Sequence, residues 1–374
     1  MIDVVGSQAH RLPSAGRNIV VVGGGIVGAT IAFHVADRGA QVTVVDAGSP
    51  GEGETSRASF GWINAREKGP KAYHTLSRRS LDMWSRFAQR LEVDVGLQWG
   101  GQLIWTDTRE RAGRMEKAVE RQRQSGNPVR LLTRGEMKEL EPGIQPGGFS
   151  IACWSEADGQ VDVPRAVRAC LDRVSALGGT VLGGTSATGF AKDDQGRVAS
   201  VETGSGRLQC DTVVLACGPE APAVSALAGL EVPVHHTAGT TAVTTPVSPI
   251  FQRVAVAHAP TGLHLKQLAD GSVVFGGFPC EDADEEAPRW LKSAAELFPG
   301  LAEARILEIR RARRPIPRDE KSILGFTATC PNLYVASTHS GVTLAPAIGE
   351  LAAIEILDCV QVNLLSAFRL DRFA

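Results

Sequence analysis

The segment Gly23-Gly24-Gly25-Ile26-Val27-Gly28 sets three glycines at the spacing of a loop that cradles a pyrophosphate. In such a loop Gly23 permits the tight turn and Gly25 lets the backbone approach the phosphates. Gly28 lets the following helix, which Ile26 and Val27 open, pack closely on a strand. The free amides and positive dipole end of that helix favour phosphate charge. Asp46 follows 23 residues after Gly23. There its carboxylate can accept hydrogen bonds from a ribose and would repel a 2′-phosphate. The chemistry implied is dinucleotide binding, with NADP disfavoured. The spacing leaves NAD and FAD both open.

A glycine loop of this kind works only between a strand and a helix. Asn18 to Val22 is a β-branched run, the mark of a buried parallel strand. A helical pattern extends from Ile26 to about Arg38, and Gly39 stands where a glycine ends a helix. Gln41 to Val45 reads as the second strand. Further along, helices are expected at Lys71–Leu91, Arg109–Gln124, Pro164–Leu177 and within Thr343–Leu357. Thr212 to Ala216 and Asn332 to Ala336 read as buried parallel strands, and Leu97 to Trp105 as one continuous strand. Between Val232 and Phe278 polar and apolar residues alternate in short runs around the turn signal Asp270-Gly271, as in an antiparallel sheet. The expected fold class is α/β: a Rossmann-like dinucleotide domain interleaved with a second domain built on a mainly antiparallel sheet with flanking helices.

Composition narrows the function classes. Of the 374 residues 43% are apolar, which excludes disorder as the main state. A net charge of −2 provides no global field for nucleic acid or an anionic membrane. No apolar run approaches the roughly 20 residues of a spanning helix. The seven cysteines are odd in number and have no C-x-x-C spacing, so they read as reduced thiols in a cytoplasmic protein. His235-His236 points to opposite faces of a strand and lacks a third ligand, so no metal site is expected.

Other segments decide the cofactor. Thr55-Ser56-Arg57-Ala58-Ser59-Phe60-Gly61, Cys217-Gly218-Pro219, Arg313-Arg314-Pro315-Ile316-Pro317-Arg318-Asp319 with Leu324-Gly325, and Asn332–Ala336 followed by His339–Pro346 together resemble the D-amino-acid oxidase family of FAD enzymes. That family includes glycine oxidase, sarcosine oxidase and D-amino-acid dehydrogenases. The resemblance covers about residues 18 to 358. It implies FAD rather than NAD, with Gly23, Gly25 and Gly28 at the pyrophosphate and Asp46 at the adenosine ribose. It further implies Thr55, Ser56 and Gly61 beside the flavin, Ala187 at the adenine, and Gly218, Gly341, Val342 and Thr343 approaching the cofactor through their backbone. The positive end of a helix starting near Thr343 would favour charge on the reduced ring.

The family's covalent-flavin cysteine and histidine have no counterpart, so the FAD is expected to be non-covalent. The resemblance implies oxidation of the C–N bond of a small amino acid or carboxylated amine. Hydride passes to flavin N5, and the resulting imine is hydrolysed by water. Arg314 matches the family's carboxylate-binding arginine. Alternation along a strand puts Arg311 and Arg313 on the opposite face from Arg314. His264 takes the place of a substrate-facing tyrosine in Gly262-Leu263-His264-Leu265-Lys266, where it would orient the substrate or take its proton. Trp62 is either core or pocket wall, and His339 is expected to line the flavin through its backbone.

Two rival activities are a 2-hydroxy-acid dehydrogenase, with His264 as base, and a flavin-binding subunit of a hetero-oligomeric dehydrogenase. The expected partners are the carboxylated amine and O2 or another electron acceptor, without nucleic acid or an integral membrane segment. The expected layout is a flexible tail over 1–17, an FAD-binding domain from 18–92, 150–225 and 315–374, and a substrate domain from 93–149 and 226–314.

Overall fold

The run Asn18–Val22 forms the strand that its β-branched residues predict, and its last four residues are buried. In the computed structural model, which describes residues 16–253, 255–258, 261–276 and 282–374, this strand lies inside a six-stranded sheet. Parallel neighbours Gln41–Val45 and Thr212–Leu215 flank it. The sheet extends to Thr180–Leu182 on one side and to Leu333–Ser337 and the antiparallel Ile323–Phe326 on the other.

Alternation divides its two faces. Ile19, Val21, Val42 and Val44 pack under the helices Ile26–Ala36, Lys71–Arg90, Val163–Ala176 and Gly341–Asp358. Val20, Val22, Val213 and Leu215 pack against the small antiparallel sheet Ala187–Lys192, Val198–Thr203 and Gly206–Gln209. A parallel sheet covered on both faces needs such continuous apolar strands.

The second large sheet has eight strands among the described residues. In spatial order they are Ile306–Pro317, Val234–Thr244, Val273–Gly276, Leu263–Gln267, Ala255–His258, Gln102–Thr106, Ile151–Ser155 and Val129–Leu132. Every pair is antiparallel except Ala255–His258 with Gln102–Thr106. One face is apolar: Leu103, Trp105, Ala242, Val256, Leu265 and Phe275 form a core with residues of the helix Ala283–Leu297. Residues of opposite parity look toward the nucleotide-binding half, where the Thr241 hydroxyl donates to Ala58 O at 3.2 Å. The expected α/β class, with a parallel sheet interleaved with a mainly antiparallel one, is the architecture observed.

Three boundaries differ from expectation. Leu97–Trp105 is not one strand but two, Gln98–Trp99 and Gln102–Thr106, because Gly101 turns the chain at φ +84° against the Trp154 indole. Ile151–Ser155 pairs with Gln102–Thr106 in the eight-stranded sheet, not with the nucleotide-binding portion to which the layout assigned residues from 150. Arg17 is not part of a free tail: its guanidinium donates to Ile356 O at 2.9 Å. The rest of the expected tail, up to residue 15, lies outside the described residues, as does Cys280. The other six cysteines are free thiols, four of them buried. Among the described residues no group of side chains could hold a metal ion, and no single helix is long and apolar enough to cross a membrane.

Candidate active site

The glycine loop sits where strand, helix and turn leave no room for side chains. Gly23 has φ +108°, and a Cβ there would stand 2.4 Å from Ala216 O. A Cβ on Gly28 would stand 1.9 Å from Gly23 O. Gly25 is different: its backbone is extended, and the nearest atom to a Cβ is Ser56 Oγ at 3.1 Å. Its constraint comes from the space in front of the loop rather than from the fold.

Asp46, ending the second strand, accepts from Gly24 N at 2.6 Å and Gly48 N at 2.9 Å. Ser56 Oγ accepts from Ile26 N at 3.0 Å. The chain returns past Asp46 through Thr185 N, which donates to Asp46 O, and leads into Ala187. Gly23, Gly25, Ile26, Val27, Gly28, Asp46, Ser56 and Ala187 are therefore brought to one end of the parallel sheet.

Two helix N-termini meet beside this loop. A Cβ on Gly341 would lie 3.3 Å from Val27 Cγ2 and 3.4 Å from Ile26 Cγ2. Neither helix has a side-chain cap or an acidic residue in its first turn. First-turn amides beyond Ile26 N, which Ser56 Oγ occupies, and two positive dipole ends directed at one place suit a diphosphate and a ring that gains negative charge. Val342 and Thr343 are buried in that first turn, and Thr343 Oγ1 donates to Trp62 O at 3.3 Å. Gly218, at φ +55°, opens the turn after the strand Thr212–Leu215. Thr55 is placed otherwise: its hydroxyl donates to Arg313 O at 2.8 Å, pinning the 54–57 helix to the free edge of the strand Ile306–Pro317.

The polar face of the eight-stranded sheet carries the remaining candidates. His264 stands opposite Gly276, Gly276 opposite Thr241, and Thr241 opposite Arg310. Directly opposed residues share a face. Arg314 lies four residues beyond Arg310 in the same register, so it shares that face with His264. The expected separation from Arg311 and Arg313 holds: these two are exposed while Arg314 is half-buried.

Ion pairing sharpens the distinction. Arg313 is held by Glu54 at 2.9 Å and Glu220 at 2.7 Å, Arg311 by Asp284, and Arg310 by Glu308 at 2.8 Å. Arg314 has no hydrogen-bond or ion-pair partner among the described residues, and its buried Nε is unsatisfied. Desolvation lowers its pKa. Its side chain crosses Gly239, with Cδ 3.0 Å from where a Cβ would stand, so a larger residue there would displace it.

His264 packs edge-on against Trp62 at 5.6 Å and Phe60 at 6.0 Å between ring centroids. Burial, then the Arg66 charge, lowers its pKa to about 4. It is therefore neutral at pH 7, a correction to the ordinary imidazole assumed for a base. Trp62 is half-buried and donates to Asp158 at 3.2 Å. His339 is exposed, and its pKa is lowered by desolvation and then by Arg314 and Lys68.

Four residues that sequence reasoning missed complete the surroundings. Lys266 is 2% exposed, two residues from His264 on the same face, and donates to Val161 O at 3.1 Å beside Gly61. Burial lowers its pKa to about 7. Gly61 has φ +75°, and a Cβ there would strike Val161 O at 2.3 Å and Lys266 Nζ at 2.7 Å. Asp158 is 2% exposed, pairs with Arg66 at 3.5 Å and accepts from Ser155 at 2.8 Å; burial raises its pKa to about 6. Lys68 donates to Ser340, the residue before the second N-terminus, at 2.8 Å.

A glycine loop on a parallel sheet, facing the polar side of an antiparallel sheet, defines a dinucleotide-dependent oxidoreductase of two interleaved parts. The model of the FAD dependent oxidoreductase family matches residues 18–354, and the chain belongs to that family. It is therefore an enzyme that uses FAD. Glycine oxidase of Geobacillus kaustophilus is 26% identical over 350 residues, which cover 90% of this chain and 92% of that protein. The crystal structure of glycine oxidase from the same organism matches with a TM-score of 0.86 at 25% identity, covering 95% and 98% of the two chains. L-proline dehydrogenase from P. horikoshii matches with a TM-score of 0.83 at 25% identity, covering 97% and 98%. The bifunctional protein ThiO/ThiG of Trichormus variabilis is 28% identical over 380 residues, and the chain spans only 55% of its length.

Covalent flavin attachment in this fold would need a nucleophile beside the ring. Three of the cysteines described in the nucleotide-binding half are poorly suited: burial raises Cys170, Cys210 and Cys217 to about 12, which leaves them as unreactive thiols. Acid precipitation of the yellow protein is expected to release all of its flavin into the supernatant. Colour retained in the pellet would contradict non-covalent binding.

Proposed function

We propose that the enzyme oxidises the C–N bond of a small amino acid or carboxylated amine. The observation that carries this reading is Arg314, a guanidinium without a counter-ion among the described residues, on the face that looks toward the cofactor half. A planar guanidinium holds a carboxylate through two parallel hydrogen bonds. Leaving such a group desolvated and unpaired is costly, and an anionic ligand removes that cost. Glycine, after which the similar glycine oxidase is named, is a carboxylated amine of this kind.

When bound, FAD would supply the acceptor for the hydride of the carbon that bears nitrogen. We assign its diphosphate to the loop Gly23–Gly28 and the first turn of the helix Ile26–Ala36, and its ribose to Asp46. Its flavin side is assigned to Ser56, Gly61, Gly218, Gly341, Val342 and Thr343, and its adenine side to Ala187. Arg314 fixes the substrate carboxylate. His264, Phe60 and Trp62 form the facing wall and exclude water there. Water then hydrolyses the imine, and the electrons pass to O2 or another acceptor.

The 2-hydroxy-acid alternative needs a protein base for the hydroxyl proton. With its pKa near 4, His264 is neutral but weakly basic, which favours the amine reading. A free amine brings its own lone pair. The pH profile of kcat/KM is therefore expected to show no ionisation of His264 between pH 5 and 9, since its folded pKa lies below that window. His264→Phe is expected to lower kcat/KM without moving the acid limb of the profile. If that limb lies near pH 6.5 and disappears in the variant, His264 is a working base and the alcohol reading gains. Glycolate turned over faster than glycine would support the same alternative.

A further inference from the structure

A cavity of about 400 Å³ lies between the charged helix Arg109–Gln124 and the polar face of the eight-stranded sheet. Its floor includes Ile104 and Cys153. Register connects that floor to the candidate site: His264 stands opposite Ala257, Ala257 opposite Ile104, and Ile104 opposite Cys153. All four share one face, so the cavity opens two strand spacings from His264, roughly 10 Å along the sheet. Arg66 stands between the two: it lines the cavity, and its guanidinium carbon lies 5.2 Å from the Trp62 ring centroid that packs on His264.

Two residues that line this space carry buried polar atoms without partners. Thr106 is fully buried with an unsatisfied Oγ1, and Gln122 is 5% exposed with an unsatisfied Oε1. A hydroxyl is a donor. An amide presents either its carbonyl or its NH2, since the hydrogen-bond network alone assigns its two ends. Such groups lose about 1–3 kcal/mol each when buried without partners, which argues for something that occupies the space.

The charges select an anion. Arg111 and Arg114 at the rim are held by their own helix neighbours Asp107 at 2.9 Å and Glu110 at 2.6 Å. Arg66 and Arg121 are held more loosely, by Asp158 at 3.5 Å and Glu67 at 3.6 Å. Arg121, in an exposed pair, can turn its guanidinium to an incoming carboxylate with little loss, while Arg66 adds its charge from beside the buried Asp158.

We propose that this cavity is a distal subsite for a second carboxylate, held by Arg66, Arg121, Thr106 and Gln122, so that the enzyme acts on amines bearing two acid groups. The inference rests on the amine-oxidising reading above and extends it. The first carboxylate binds Arg314, the reacting C–N bond lies by His264, and a chain of several atoms runs along the sheet past Ala257.

The test uses the FAD-loaded enzyme with glycine, N-(carboxypentyl)glycine and the terminal carboxamide of the latter. The acid is expected to exceed its amide in kcat/KM by about tenfold or more, the effect of one charge-assisted contact. In Thr106→Val and in Arg121→Gln that ratio is expected to fall toward one. The exposed position of Arg121 makes its variant safe for folding if the buried one fails. Equal kcat/KM for acid and amide in the wild type, with glycine oxidised, overturns the subsite alone. No flavin reduction by any of the three amines overturns the functional reading and the subsite with it. A ratio that persists in both variants also overturns the assignment, because another part of the enzyme then reads the charge.

Discussion

Gly25→Val is expected to purify as a folded protein without FAD, whereas Gly28→Val is expected not to fold. The two glycines belong to one loop but answer to different constraints. Gly28 faces Gly23 O at a distance no Cβ tolerates, so a side chain there separates the helix Ile26–Ala36 from the strand Asn18–Val22. Gly25 adopts an extended backbone that valine also adopts, and its nearest neighbour is a hydroxyl at 3.1 Å. Valine there costs the fold little but places methyl groups where the diphosphate approaches. The checks are the ratio of flavin absorbance to protein absorbance and a cooperative thermal transition. A fully flavinated Gly25→Val would remove the loop from the cofactor site. Asp46→Ala is expected to be milder, since it removes two loop contacts together with the ribose acceptor.

Arg314→Lys is expected to lower kcat/KM for a carboxylated amine by about 10- to 100-fold, equivalent to the roughly 1.5–3 kcal/mol of a hydrogen bond to a charged group. Lysine keeps the charge but loses the planar fork, and its shorter reach leaves the carboxylate poorly fixed. FAD content is expected to stay unchanged, because no assigned cofactor contact passes through this side chain. An amine without a carboxylate is expected to be oxidised equally by wild type and variant. The same losses in Arg313→Lys would contradict the assignment, because Arg313 is already engaged by Glu54 and Glu220.

Legibility in the sequence followed how local each feature is. The strand, glycine loop, helix and Asp46 lie within one short stretch, and each is set by its neighbours in the chain. The separation of Arg314 from Arg311 and Arg313 followed from alternation. Alternation also places Lys266 with His264 and both opposite Leu263 and Leu265, a signal present in the sequence itself. What alternation could not indicate was that burial takes Lys266 and His264 far from their ordinary pKa values, since burial depends on Phe60, Gly61 and Val161 from distant segments. Asp158, Arg66 and Lys68 are charges in connecting segments with no periodic pattern. Only tertiary packing brings Asp158 under Trp62 and Lys68 to Ser340. The pairing of Ile151–Ser155 with Gln102–Thr106 is likewise non-local, so its place in the eight-stranded sheet had no local mark.

The most direct measurement of the central claim is anaerobic bleaching of the bound flavin, followed at its visible absorption band. The panel comprises glycine, sarcosine, both enantiomers of alanine and proline, N-(carboxypentyl)glycine, the carboxyl-free amines of matching size, and glycolate and lactate. At least one carboxylated amine is expected to bleach the flavin rapidly in the wild type and far more slowly in Arg314→Lys, with the hydroxy acids inert. Bleaching by a hydroxy acid while every amine leaves the flavin oxidised would contradict the account, as would a carboxylated amine that bleaches both proteins at the same rate.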